Sequence, residues 1–107
     1  MKLALSFVAA TLLSTTAWAE TPSFELTLKD HQFEPATLEV PANQKVKLVV
    51  KNADSTPAEF ESHSLGREKV IQGNSSATVL VGPLKPGEYK FEDEFNAKTA
   101  QGKLIAK

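Results

Sequence analysis

The sequence has 107 residues, a formal net charge of −1 and no cysteine. That length accommodates one domain with a small core. The missing cysteines exclude disulfides and every thiolate chemistry, so stability has to come from apolar packing. Acidic and basic residues are nearly balanced and form no basic cluster of the kind that grips phosphates, which argues against a nucleic-acid partner.

In chain order, Lys2 precedes an apolar run from Leu3 to Leu13, and Ala17-Trp18-Ala19 follows just before Glu20. This is the pattern of a secretory signal peptide over residues 1–19 with an A-x-A cleavage site. The run is about half the length that a membrane-spanning helix needs. The expected mature protein is residues 20–107, exported to the periplasm and not inserted in the membrane. Removing Lys2 takes its net charge to −2.

The mature chain shows apolar alternation at period 2 and no helical spacing. Phe24, Leu26 and Leu28 share one face of a first strand; Leu38 and Val40 lead into the turn Pro41-Ala42-Asn43-Gln44. Val46, Leu48 and Val50 then alternate with Lys45, Lys47 and Lys51, a half-buried strand with one wet face. Further strands are expected at 58–62, 68–71, 77–81, 88–95 and 103–106, separated by Gly66, Gly73-Asn74, Pro86-Gly87 and Gly102. About eight short strands with turn signals between them predict an all-β, two-sheet sandwich.

Two places break the alternation, and chemistry is to be sought there. In Tyr89-Lys90-Phe91-Glu92-Asp93-Glu94-Phe95, the parity of the strand puts Asp93 on the apolar face with Tyr89, Phe91 and Phe95. A carboxylate there needs a cation, a metal or several hydrogen-bond donors, since desolvation costs several kcal/mol per charge. The plainer reading is a strand that ends or bulges before Asp93, or a lysine paired with it. Glu92 and Glu94 lie on the opposite face unless a bulge turns one of them inward.

The second place is Pro57-Ala58-Glu59-Phe60-Glu61-Ser62-His63, where Glu59, Glu61 and His63 share one parity. In an extended strand their Cα atoms follow one another at about 6.6 Å, near enough to converge on one ion with modest bending. Carboxylate and imidazole donors suit iron, manganese, zinc or copper(II). A solvated charged face is the plain alternative for Glu61 and His63. His31, in Asp30-His31-Gln32-Phe33-Glu34-Pro35, reads by itself as a surface or capping residue of a loop.

The segments HQFEPATLEVPANQKVKLVVKN, PAEFESHSLGREKVI and PGEYKFEDEFNAKTAQGKLIAK together resemble the cupredoxins over nearly all of the mature chain. The resemblance implies a Greek-key β-sandwich. In blue-copper members the closing stretch reads Y-x-F-x-C, with a His three residues on and a Met two residues before a Gly. The matching positions here are Asp93, Asn96 and Ala100, and the first blue-copper His falls at Ala58 or Glu59, so a type 1 copper site is not expected. The DHxFxP segment, the EFES segment and the acidic strand end are similar to the EfeO-type cupredoxin-like family of periplasmic proteins in bacterial iron uptake. That resemblance implies an iron or copper ion held by Asp93, Glu59, Glu61, His63 and His31. It further implies a partner in an inner-membrane iron permease or a periplasmic iron-binding protein, to which the metal is handed over. Asn96 stands where many relatives carry a His.

The chain is therefore read as a metal-binding protein and not as an enzyme, with a ferroxidase-like contribution left open. A metal-free module that docks on a permease or another partner is the rival reading. No Ser/His/Asp constellation suggests hydrolysis.

Overall fold

The computed structural model describes residues 20–107. The expected signal peptide, residues 1–19, lies outside the described residues. Nine strands form two sheets: β1 (Ser23–Lys29), β2 (Gln32–Glu34), β3 (Thr37–Val40), β4 (Val46–Asn52), β5 (Ala58–Ser62), β6 (Arg67–Ile71), β7 (Ser75–Val81), β8 (Gly87–Asp93) and β9 (Gln101–Ala106). The four-stranded sheet runs β2-β1-β4-β7 and the five-stranded sheet β3-β9-β8-β5-β6. Within them β1 runs parallel to β4 and β3 parallel to β9, while every other pair is antiparallel. The expected all-β sandwich is what the chain forms.

Inward positions follow the alternation read from the sequence. Leu26 and Leu28 of β1 meet Leu48 and Val50 of β4, and Phe60, Phe91 and Leu104 line the inner face of the other sheet, all 3% exposed or less. Between the sheets lie three aromatic rings: Phe33 is edge-on to Phe91 at 5.0 Å and to Phe60 at 6.5 Å, and Phe60 stacks on Phe91 at 5.2 Å. Phe33 belongs to β2, a strand the sequence did not announce. It exists because Asp30 and His31 both adopt positive φ (52° and 55°), the geometry of a two-residue turn that folds the chain straight back on β1. The side chain of Asp54 holds this turn by accepting the amides of Asp30 (2.7 Å) and His31 (3.0 Å).

The second departure lies at the end of β8, which the sequence carried to Phe95. The strand stops at Asp93, and Glu94–Asn96 form one turn of 3-10 helix, η1. Asp93 is its N-cap, accepting the Phe95 amide, as short acidic side chains do at helix starts. The chain returns through Ala100 into β9, and Gly102 is required there. A Cβ on Gly102 would lie 2.5 Å from the Phe91 ring and 2.9 Å from the Ala36 carbonyl oxygen.

Candidate functional site

Strand β5 lies between β8 and the edge strand β6, and its inner face presents Ala58, Phe60 and Ser62 to the core. Its outer face therefore carries Glu59 and Glu61. The register sets Glu61 opposite Glu68 of β6 and opposite Glu92 of β8, and sets Glu59 opposite Val70. The last β5–β8 pair is Phe60 with Asp93, so Glu94, one residue on, falls beside Glu59.

The result is a convergence of carboxylates. One oxygen from each of Glu59, Glu61 and Glu94 lies within 4.8 Å of the others, the one such group of potential metal-ligating side chains among the described residues. Glu59 is 8% exposed, Glu61 is half-buried and Glu94 is exposed. Crowding raises the proton affinity of these carboxyl groups. The Glu59 carboxyl is pushed up to about 7, first by a hydrogen bond shared with the Glu68 carboxyl, then by burial and by the charges of Glu94 and Glu68. Glu61 is also raised, chiefly by a hydrogen bond with Glu94 and then by burial, with His63 acting weakly in the opposite sense. Like charges this close cannot all ionise cheaply without a proton or a cation between them. The donor set is all oxygen, which suits hard cations over soft ones.

Of the five residues expected as ligands, the structure brings Glu59 and Glu61 together and leaves three apart. Asp93 points inward, as its parity implied, and is 0% exposed. Among the described residues no lysine forms a salt bridge with it. Its Oδ1 accepts the amides of Glu59 (2.9 Å) and Phe95 (3.0 Å), and its Oδ2 accepts Nδ2 of Asn96 (3.1 Å). Donors, the third option for a buried carboxylate, engage both of its oxygens. Asn96, at the position where a His was sought, is thus one of the donors to Asp93. Ala100 is buried and its carbonyl accepts the Asp93 amide at 3.0 Å.

His63 leaves the strand parity because β5 ends at Ser62, whose Oγ accepts the Leu65 amide and donates to the Lys90 carbonyl oxygen. That closes a turn with His63 exposed at its first position. His63 and Glu61 nonetheless border the same open depression of about 570 Å³, lined also by Lys90, Phe91, Glu92 and Gly102. His31 is held on the other sheet, its Nδ1 3.5 Å from Oδ2 of Asp54. The members of the cluster that the sequence reading missed are Glu68 and Glu94. Strand pairing is the signal that finds them: once β5 is set between β6 and β8, both glutamates fall on the face of Glu59 and Glu61.

The family model described as the cupredoxin-like domain matches residues 2–106. An uncharacterized protein of Rickettsia prowazekii (strain Madrid E) is 46% identical over 81 residues, which cover 76% of this chain and 65% of that protein. The chain thus spans about two thirds of that relative's length. Among solved structures, auracyanin A, a "blue" copper protein from Chloroflexus aurantiacus, matches with a TM-score of 0.68 at 18% identity, over 79% of this chain and 98% of that one. The metal-binding domain of the Cu(I)-exporting P-type ATPase of Streptococcus pneumoniae D39, solved with Cu(I), matches with a TM-score of 0.67 at 13% identity, over 79% and 84%. At these identities the likeness is one of fold.

Proposed function

This chain belongs to the cupredoxin-like domain family, and from that premise we propose that it is a metal-binding member whose ion is held by carboxylate oxygens. The carrying observation is the convergence of Glu59, Glu61 and Glu94 within 4.8 Å, with Glu68 sharing a proton with Glu59. Three carboxylates drawn from β5 and η1 supply a preformed, strongly anionic set of ligands. A divalent or trivalent cation removes the repulsion that otherwise holds Glu59 protonated near neutral pH. The lack of any cysteine removes the soft ligand that a copper(I) or blue-copper site calls for.

Iron is the cargo this reading favours. Hard carboxylates bind Fe(III) more tightly than Fe(II), which lowers the potential of a bound ion and suits a protein that takes up ferrous iron and passes it on. The export signal read at residues 1–19 would place the protein in the periplasm, and an inner-membrane iron permease or a periplasmic iron-binding protein would receive the metal. The mixed polar rim of the depression beside Glu61 and His63 gives such a partner room to approach the carboxylates.

Calorimetric titration of the mature domain with Mn(II), anaerobic Fe(II) and Cu(II) tests the proposal. One ion should bind per chain, Glu61→Gln and Glu94→Gln should each weaken Mn(II) binding about tenfold, and Cu(II) should give no intense blue band. Absence of binding by all three ions would leave the metal-free docking module as the better reading.

A further inference from the structure

The cluster is built from two parts of the chain, β5 and η1, at the point where the pairing of β5 with β8 runs out. Pairing of β5 with β8 ends at Phe60 and Asp93, and the chain then leaves the sheet for η1. At that point the amide of Glu59 has lost its strand partner. The side chain of Asp93 takes the partner's place: the same Oδ1 accepts the amide of Glu59 on β5 and the amide of Phe95 in η1, at 2.9 and 3.0 Å. These two amides flank the carboxylates in question. One belongs to Glu59 itself, and the other follows Glu94 in the chain.

We propose that Asp93 is a positioning residue for the cation site, a buried anion that fixes the spacing of Glu59 and Glu94 without touching the ion. The inference rests on the reading of the carboxylate cluster as a cation site. Three observations support it. Both oxygens of Asp93 are already engaged, Oδ2 by Nδ2 of Asn96 at 3.1 Å. The residue is 0% exposed and projects to the face of the sheet opposite Glu59 and Glu61. A small apolar residue in its place would leave the buried amide of Glu59 and the part-buried amide of Phe95 without an acceptor.

Asparagine separates position from charge. In Asp93→Asn the remaining oxygen still accepts both amides, and Asn96 turns its own amide to present an oxygen to the new Nδ2. In Asp93→Ala all three bonds are lost. Mn(II) affinity, measured by calorimetry on the mature domain at a temperature where the amide spectrum shows a folded chain, should stay within threefold of wild type in Asp93→Asn. It should fall at least tenfold in Asp93→Ala, or in Asp93→Ser should the alanine variant not fold. Melting temperature should drop in both variants but affinity only in Asp93→Ala or Asp93→Ser, whereas a purely structural role would lower stability and leave the affinity of the folded chain unchanged in all of them. Wild-type affinity in Asp93→Ala or Asp93→Ser overturns the proposal. So does an Asp93→Asn variant as weak as Glu94→Gln, for then the charge itself binds the ion. Should Glu61→Gln and Glu94→Gln both bind as wild type, the site fails and this role with it; weakened glutamine variants beside an unaffected Asp93→Ala remove the positioning role alone.

Discussion

A carboxyl group that holds its proton to about pH 7 makes a fold sensitive to pH in the direction opposite to most acids. Glu59 has a folded value of about 7 against an ordinary 4.5, so the folded chain binds this proton more tightly than the unfolded one. Its stabilising contribution is complete below 4.5 and is lost as pH rises through about 7. Glu61 is shifted in the same sense. Asp54 is shifted oppositely: the backbone bond from His31 holds it below its ordinary 3.8, so its contribution is present above 3.8 and is lost on further acidification. The metal-free domain should therefore melt at a higher temperature at pH 5 than at pH 8 and lose stability again only in strong acid. Calorimetric melting across that range checks this, and Glu59→Gln should flatten the rise between pH 8 and 5. A melting temperature that stays level or falls over that interval would contradict the protonated cluster. Protons and cations compete for the same oxygens, so metal affinity follows the reverse slope and weakens on acidification through pH 7.

At the scale of the element, the aromatic cluster gives β2, β5 and β8 their common anchor. Phe60 is 1% exposed and touches both Phe33 and Phe91, so Phe60→Ala should cost about 3–5 kcal/mol, the range for an aromatic deleted from a close-packed core. Chemical denaturation reads that loss directly, and a change below about 1 kcal/mol would mean that the sheets reseat around the gap. The inward places of Phe60 and Phe91 were legible in the sequence because period-2 alternation is a local property, and so was the burial of Asp93, whereas that of Phe33 was not, since β2 depends on the turn at Asp30 and His31. The length of β8 was not legible. Its continuation to Phe95 depended on parity alone, whereas the strand ends where the carboxylate of Asp93 caps η1 and substitutes for a strand partner, a choice made by the amide of Glu59, 34 residues away. For the same reason Glu59 and Glu61 could be found as a pair and the full cluster could not. Glu94 and Glu68 enter it through the β5–β8 and β5–β6 registers, which are long-range facts. His63 shows the limit of parity from the other side, since one serine hydroxyl at position 62 converts the next residue from strand to turn.

At the scale of the whole molecule, a two-sheet sandwich has open margins: β2 and β7 border one sheet, β3 and β6 the other. Margins β6 and β7 face each other across a seam where Nε of Arg67 donates to the carbonyl oxygen of Leu80 at 2.7 Å. Val70 and Leu80, 48% and 44% exposed, belong to the same two strands. Strand margins with free carbonyls and apolar side chains are where chains recruit further copies of themselves, and a cation set against the margin is a known defence. Arg67 therefore bears on colloidal behaviour more than on folding. Arg67→Ala should move the melting temperature little, as an exposed polar contact does, yet light scattering of the concentrated domain at 37 °C should show faster growth of aggregates than wild type. Equal rates would mean that the seam is closed by packing alone. A guanidinium that spans two sheets would thus act on the encounter between molecules, a burden that falls on surface chemistry in a domain that has no disulfide to lock its margins.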